Sequence, residues 1–289
     1  MPSVSRAQVY VPWMPVRQAL AVLTLALSLI LMSVPLRAAD RDRVEAFLTI
    51  TGFDVALESI KLSAENAPAM LGVDARDFGI SWTRLASEVF DVEKMQQMGT
   101  DILVETLTDD ALSHAAAFYA SDLGQRLVEA ENTSHLADRA EKRGVGEALI
   151  EEQKQSDPER VALYDRMMRA IGSAESTLKS SNEVQIRFLM AAAAAGIVTL
   201  KLDEEGIRAM QAENAPEALA NIRAAGLIGA AVTYRDFSNE DLEAYAVALE
   251  NPQMQEVYEL MNAVQYEIMA NRYEVVALKM RELDPGQEL

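Results

Sequence analysis

The chain has 289 residues, with 45 Asp and Glu against 26 Lys and Arg, and it contains no cysteine. The formal charge of −19 excludes a surface built to hold nucleic acid or anionic lipid headgroups, because phosphate contacts need clustered Lys and Arg. The lack of cysteine excludes disulfides, thiol nucleophiles and thiolate metal sites. Half of the residues are hydrophobic, which predicts a folded protein with an acidic, solvated surface.

Residues 1–39 have the pattern of a secretory signal. An apolar run from Ala19 to Val34 follows a basic start, and the first acidic residue is Asp40. A run of roughly 16 residues is shorter than the about 20 that a membrane span needs. Ala38-Ala39 offers small residues to a peptidase, and we favour a cut after Ala38. The pattern predicts a periplasmic protein that meets the membrane only through its signal before cleavage; an uncleaved inner-membrane anchor is the alternative.

Helical periodicity covers nearly all of the remaining chain, so the predicted fold class is all-α. Asp157-Pro158 opens one helix, which Gly172 ends, since proline suits the first helical position and glycine breaks a helix. The clearest helix runs from Pro252 to about Glu282, and strand signals such as Asn-Gly turns are missing. Its apolar stripe consists of Met254, Val257, Met261, Val264, Ile268, Val275 and Leu278.

Two segments carry unusually small side chains. Met190 to Leu200 holds five consecutive alanines, and Ala218 to Tyr234 holds several Ala and Gly residues. Helices with such faces can approach closely, so we predict that these segments form a central buried pair. The alternative is a second membrane span, which Arg187 and Lys201 on either side of the first segment and Arg223 within the second disfavour.

An internal repeat recurs at an offset of 130 positions. Leu107 to Leu112 (LTDDAL) is echoed by Phe237 to Leu242 (FSNEDL), and the echo continues without a gap. In each copy a Thr or Ser precedes a helix with an acidic first turn, as capping and the helix dipole favour. Chance similarity between amphipathic helices is the alternative. The predicted organisation is a signal peptide (1–39), a first helical copy (40–150), a linker or connecting helix (151–169) and a second copy (170–289), the two copies forming related helical-bundle halves.

The segment FYASDLGQRL, which follows the Leu107-Thr108 helix start, resembles the bacterial exported family called domain of unknown function 2059. In the second half Met254 stands in the glycine place and Ala248-Leu249 replaces the aromatic pair, so that copy is divergent. The resemblance implies a small α-helical envelope domain and no established reaction. The family motif, an aromatic pair, a small polar cap, a glycine, a basic residue and a leucine, corresponds to Phe118, Tyr119, Ser121, Gly124, Arg126 and Leu127.

We expect this motif to have a structural role. Glycine is a poor helix former, so close contact with a neighbouring helix would explain Gly124. Phe118 and Tyr119, one turn earlier across the cap, are placed to form the surface on which Gly124 packs.

The remaining reactive side chains predict no catalytic residue, no metal site and no cofactor. His114 and His135 lack a second histidine at metal-ligand spacing. Ser176 and Lys179 fit the Ser-x-x-Lys pattern of penicillin-binding proteins, but the accompanying Lys-Thr-Gly and Ser-Asp-Asn motifs are missing. The carboxylate pairs are interpreted as helix starts or solvated faces: Asp109-Asp110, Glu151-Glu152, Asp203-Glu204-Glu205 and Glu240-Asp241.

Three functions stay open on the sequence. The first is a non-enzymatic interaction or scaffold module for an unknown envelope protein. The second is a carrier that holds an apolar ligand between the two halves, lined by adaptable methionines. The third is a cell-wall hydrolase using carboxylates. A buried carboxylate facing a deep cleft would favour the hydrolase, an apolar cavity of several hundred Å³ the carrier, and neither feature the scaffold.

Overall fold

The computed structural model describes residues 39–64, 67–71 and 79–283. The predicted signal peptide, apart from Ala39, lies outside the described residues. The described residues fold into helices joined by short turns, and they contain no β-strand. The all-α prediction is therefore confirmed.

The helices follow one another with few residues between them. They are α1 (Arg41–Ile50), α2 (Phe53–Ala64), α3 (Ala67–Met70), α4 (Gly79–Val89), α5 (Val92–Thr106), α6 (Asp109–Tyr119), α7 (Asp122–Leu136), α8 (Arg139–Ser156), α9 (Pro158–Ile171), α10 (Ala174–Ala194), α11 (Glu204–Thr233), α12 (Asn239–Leu249) and α13 (Pro252–Met280). No helix in the described part of the chain combines the length and the apolar character that a membrane span requires.

Local cap chemistry sets the helix starts. Thr108 and Ser121 are the N-caps of α6 and α7, and Ser238 and Asn251 are those of α12 and α13. In each case a side-chain oxygen accepts a hydrogen bond from a backbone N–H in the first turn, which satisfies a group that the helix leaves unpaired. Both α6 (109–119) and α12 (239–249) keep the offset of 130 at both ends. The duplication itself stays a prediction.

Helix α13 lies at the centre of one core shared by both predicted halves. It packs against α4, α5, α6 and α10. Leu278, predicted in its apolar stripe, is 53% exposed, so that part of the prediction is wrong. Near the end of the helix Val276, Ala277 and Met280 are buried instead, and at about 100° per residue this turns Leu278 to the opposite side.

The predicted central pair of small-sided helices is also wrong. Helices α10 and α11 contact each other, but much of residues 218–229 is partly or fully exposed. Helix α11 instead approaches the backbone of α8, where a Cβ on Gly146 would lie 2.5 Å from the carbonyl oxygen of Ile228. The small residues thus admit a neighbouring backbone at the edge of the fold, while the larger side chains of α13 fill the centre.

Candidate functional site

The family motif forms the corner between α6 and α7. Ser121 Oγ donates to the carbonyl of Phe118 at 2.6 Å and accepts from the N–H of Gly124 at 3.1 Å, which joins the end of one helix to the start of the next. Gly124 is buried, and a Cβ there would lie 2.6 Å from Cα of Tyr119 and closer still to the oxygen of Phe118. Only glycine fits this corner without moving the backbone. Leu127, one turn later, is fully buried.

The aromatic pair of the motif touches the second predicted half. The ring of Phe118 stacks on that of Tyr245 in α12, with centroids 5.8 Å apart and an angle of 6° between the planes. The hydroxyl of Tyr119 lies 2.5 Å from that of Tyr258 in α13. These two residues therefore contribute to the contact between the two predicted halves.

Arg126 forms a surface ion pair with a residue of the second predicted half. Its guanidinium donates to both oxygens of Asp241, at 3.1 and 2.9 Å, in the first turn of α12. In the other direction, Glu256 of α13 accepts a hydrogen bond of 2.9 Å from Thr108, the N-cap of α6. Positions 126 and 256 are separated by the predicted repeat offset, so each predicted half contacts a helix start in the other. Exposed ion pairs contribute only about 0–1 kcal/mol to the free energy of unfolding. We therefore expect Arg126 to fix the position of α7 relative to α12 rather than to stabilise the fold.

A cluster of tyrosines surrounds one carboxylate beneath this corner. Glu131, on α7, accepts hydrogen bonds at Oε1 from the hydroxyls of Tyr234 at 2.7 Å and Tyr245 at 2.9 Å. The hydroxyl of Tyr258 lies 3.0 Å from that of Tyr245, and the hydroxyl of Tyr119 is hydrogen-bonded to that of Tyr258. We call Glu131 with Tyr119, Tyr234, Tyr245 and Tyr258 the tyrosine cluster. It gathers four of the eight tyrosines of the chain around a single acid.

The hydrogen bonds of the tyrosine cluster point towards Glu131. A tyrosine hydroxyl has one proton to donate, and that of Tyr245 goes to the carboxylate. Tyr245 therefore accepts from Tyr258, and Tyr258 in turn accepts from Tyr119. This order favours the ionised form of Glu131, because each hydroxyl in the series of hydrogen bonds donates its proton towards the carboxylate oxygen.

Burial acts in the opposite sense on Glu131. Removal from water raises the pKa of its carboxyl, and the hydrogen bonds from Tyr234 and Tyr245 offset part of that rise. Burial also raises the pKa of Tyr234 and Tyr245, so they stay neutral donors. Among the described residues no Lys, Arg or His forms an ion pair with Glu131. The carboxylate is thus held by neutral donors alone.

A cavity of about 130 Å³ opens beside the tyrosine cluster, between α1, α2, α7 and α13. The turn from α1 to α2 shapes one side: Gly52 has φ +69°, and a Cβ there would collide with the side chain of Asn132. Both predicted halves contribute to the lining. Its rings are Phe47, Phe53, Tyr119 and Tyr258, and its polar groups include Glu131, Asn132, Asn262 and Gln265.

The other reactive residues are dispersed. His135 borders the same cavity, and burial lowers its pKa. Ser176 and Lys179 are both exposed on the first turns of α10. Most of the carboxylate pairs cap or open helices as predicted, as Asp109 and Asp110 do at α6. The described residues contain no group of three or more His, Asp and Glu side chains placed to hold a metal ion.

Residues 93–152 match the family model of domain of unknown function 2059, an uncharacterized protein conserved in bacteria. This segment belongs to that family. The DUF2059 segment begins in α5, includes the motif corner and Glu131, and ends in α8. Tyr234, Tyr245 and Tyr258 lie beyond it. No curated protein and no solved structure matches the chain.

The sequence reasoning missed Glu131 and its three distant tyrosines. Glu131 lies in an ordinary polar stretch of α7, and nothing in its neighbours marks it. The available signal was the placement of Tyr234, Tyr245 and Tyr258 in one half, since buried tyrosine hydroxyls need partners. That signal indicates a partner without saying which residue it is.

Proposed function

We propose that the protein is a non-enzymatic binding module of the bacterial envelope, and that it holds a small ligand in the cavity beside Glu131. One observation carries the proposal: a carboxylate with no cationic partner among the described residues borders a cavity lined by both predicted halves. Burial of an ion costs several kcal/mol unless it is compensated, and such groups concentrate at functional sites.

The same geometry weighs against the other two chemistries considered. A glycoside hydrolase needs two carboxyls about 5–9.5 Å apart across a cleft. Glu131 is the one carboxylate among the described residues that line this cavity. A carrier of large apolar ligands needs several hundred Å³. The observed 130 Å³ suits a compact molecule, since a cavity of about 150 Å³ holds benzene.

A scaffold function is the second candidate. Leu202 and Met210 are each nearly half exposed, beside a groove of about 340 Å³ at the connection between α10 and α11. Exposed apolar surface of this kind favours contact with another protein.

Envelope location is part of the proposal, and N-terminal sequencing tests it. The basic start, the short apolar run and the small residues at Ala38-Ala39 support export, and the first described helix is capped by Asp40 directly after them. We expect protein purified from the envelope to begin at Ala39 or Asp40. An intact Met1 in the envelope fraction would show instead that the segment is an uncleaved anchor.

Filling the cavity tests the ligand site. Ala56 lines the cavity from α2, and leucine there adds three carbon atoms that occupy a large part of the space. Native mass spectrometry of protein purified from the envelope should show a bound small molecule in the wild type and its loss in Ala56→Leu. The fold should persist, because the added carbons enter an existing space.

Ala220→Leu is the matched control, since Ala220 is an exposed alanine on α11. This variant should keep the bound mass. A wild-type protein without any bound mass, or an Ala56→Leu protein that retains it, contradicts the proposed site.

A further inference from the structure

We propose that the ligand of this cavity is a small organic cation, an ammonium ion of about the size of choline. The inference rests on the proposed function and adds the chemical class of the ligand. It stands on three features of the cavity: a free carboxylate oxygen, aromatic walls and a compact volume.

The first feature is the second oxygen of Glu131. Both tyrosine donations go to Oε1, and no described residue donates a hydrogen bond to Oε2. Oε2 keeps a small accessible surface, because among the described residues Gln153 Oε1 is the one side-chain nitrogen or oxygen that is both fully buried and unpaired. Glu131 borders the cavity, so we place this oxygen at its wall. A carboxylate oxygen with no donor in the described part of the chain attracts a ligand that brings positive charge.

The second feature is the aromatic lining. Phe47 and Tyr119 lie with ring centroids 6.4 Å apart and planes at 59°, so the two rings form a corner. Phe53 and Tyr258 border the same space. The faces of aromatic rings carry partial negative charge and bind ammonium groups, most strongly where water is excluded. Rings and a carboxylate together are the groups that recognise quaternary ammonium ions.

The third feature is the limited size and ligand set of the cavity. A volume of about 130 Å³ holds several non-hydrogen atoms and excludes a lipid or a peptide. A bare calcium ion would need six to eight oxygen ligands, usually from several carboxylates, and Glu131 is alone here among the described lining residues. Anionic ligands would meet the charge of Glu131 at close range.

The net negative charge of the whole protein also favours a cationic ligand. Three of its 26 Lys and Arg lie in the predicted signal, so the exported chain carries 23 basic against 45 acidic side chains, a net charge of −22. Such a surface raises the local concentration of cations and speeds their encounter. Since this attraction is general, a test must separate it from binding in the cavity.

Isothermal titration calorimetry with two probes of equal shape provides that test. Choline chloride is compared with 3,3-dimethyl-1-butanol, in which carbon replaces the charged nitrogen, on the exported chain, with sodium chloride matching the ionic strength. We expect wild-type protein to bind choline at least tenfold more tightly than the neutral alcohol. Ala56→Leu should bind neither. Glu131→Gln should lose the preference for choline, and Glu129→Gln, which removes an exposed charge from the same helix, should keep it.

The outcomes separate the two proposals. Equal binding of choline and the alcohol by the wild-type protein, or no choline binding, overturns the cation assignment, whatever Glu131→Gln does. The proposed function then still stands if the mass that depends on Ala56 is found. Choline binding that survives in Ala56→Leu shows attraction to the acidic surface and overturns the placement in the cavity. Loss of the bound mass in every form of the protein overturns the proposed function itself.

Discussion

Replacing Arg160 with alanine is expected to lower the free energy of unfolding by about 2–4 kcal/mol, because buried acceptors lose their donor. Arg160 is only 7% exposed, on α9. Its guanidinium donates to the carbonyls of Tyr234 at 2.6 Å and Phe237 at 2.9 Å, and to the side chain of Asn239 at 2.9 Å. It therefore satisfies the end of α11 and the start of α12 at once.

Urea denaturation of two further variants checks this role. Arg160→Lys should recover less than half of the loss, since a lysine ammonium cannot reproduce the planar fork of five donors. Arg166→Ala removes an arginine that pairs with Glu243 and Glu250 near the surface, and it should cost about 1 kcal/mol or less. A value for Arg160→Ala within that smaller range would mean that water replaces the guanidinium.

Gly124→Ala is expected to destabilise the protein by about 1–3 kcal/mol through overpacking, although alanine favours helix by about 1 kcal/mol. The added methyl would meet the backbone of Phe118 and Tyr119, and backbone yields less readily than a side chain. Gly124→Leu should be worse still. Thermal melts measure the effect.

Gly144 provides the opposite case within the same chain. It is exposed in the interior of α8, and a Cβ there would meet no atom within 4 Å. Gly144→Ala should therefore raise stability by about 0.5–1 kcal/mol through helix propensity alone. If Gly124→Ala melts at or above the wild-type temperature, the corner is not tightly packed, and an exposed role for the motif becomes the better interpretation.

Local chemistry was readable from the sequence, because caps and breaks depend on adjacent residues. Ser121 and Asn251 begin their helices as expected, and Gly172, with φ +148°, ends α9. The DUF2059 resemblance, drawn from FYASDLGQRL, is confirmed by the match over residues 93–152.

Long-range partners could not be predicted in the same way. Glu131 meets tyrosines 103 and 114 positions away, and no local pattern encodes such a pairing. The small residues of α11 indicated a close approach but not its partners, which include α8 through Gly146 as well as α10. The size of the side chains limits how closely two helices can pack, but only the complete fold determines which helix is the neighbour.

The contacts of Arg126 and Glu256 recur at the predicted offset of 130 positions, yet the residues of the tyrosine cluster do not. At the offset of 130 positions, Glu131 corresponds to Met261, Tyr245 to Ala115 and Tyr258 to Val128. The positions that the offset pairs with Glu131, Tyr245 and Tyr258 therefore carry apolar side chains instead of polar ones. The ligand chemistry that we propose thus depends on positions at which the two predicted copies differ.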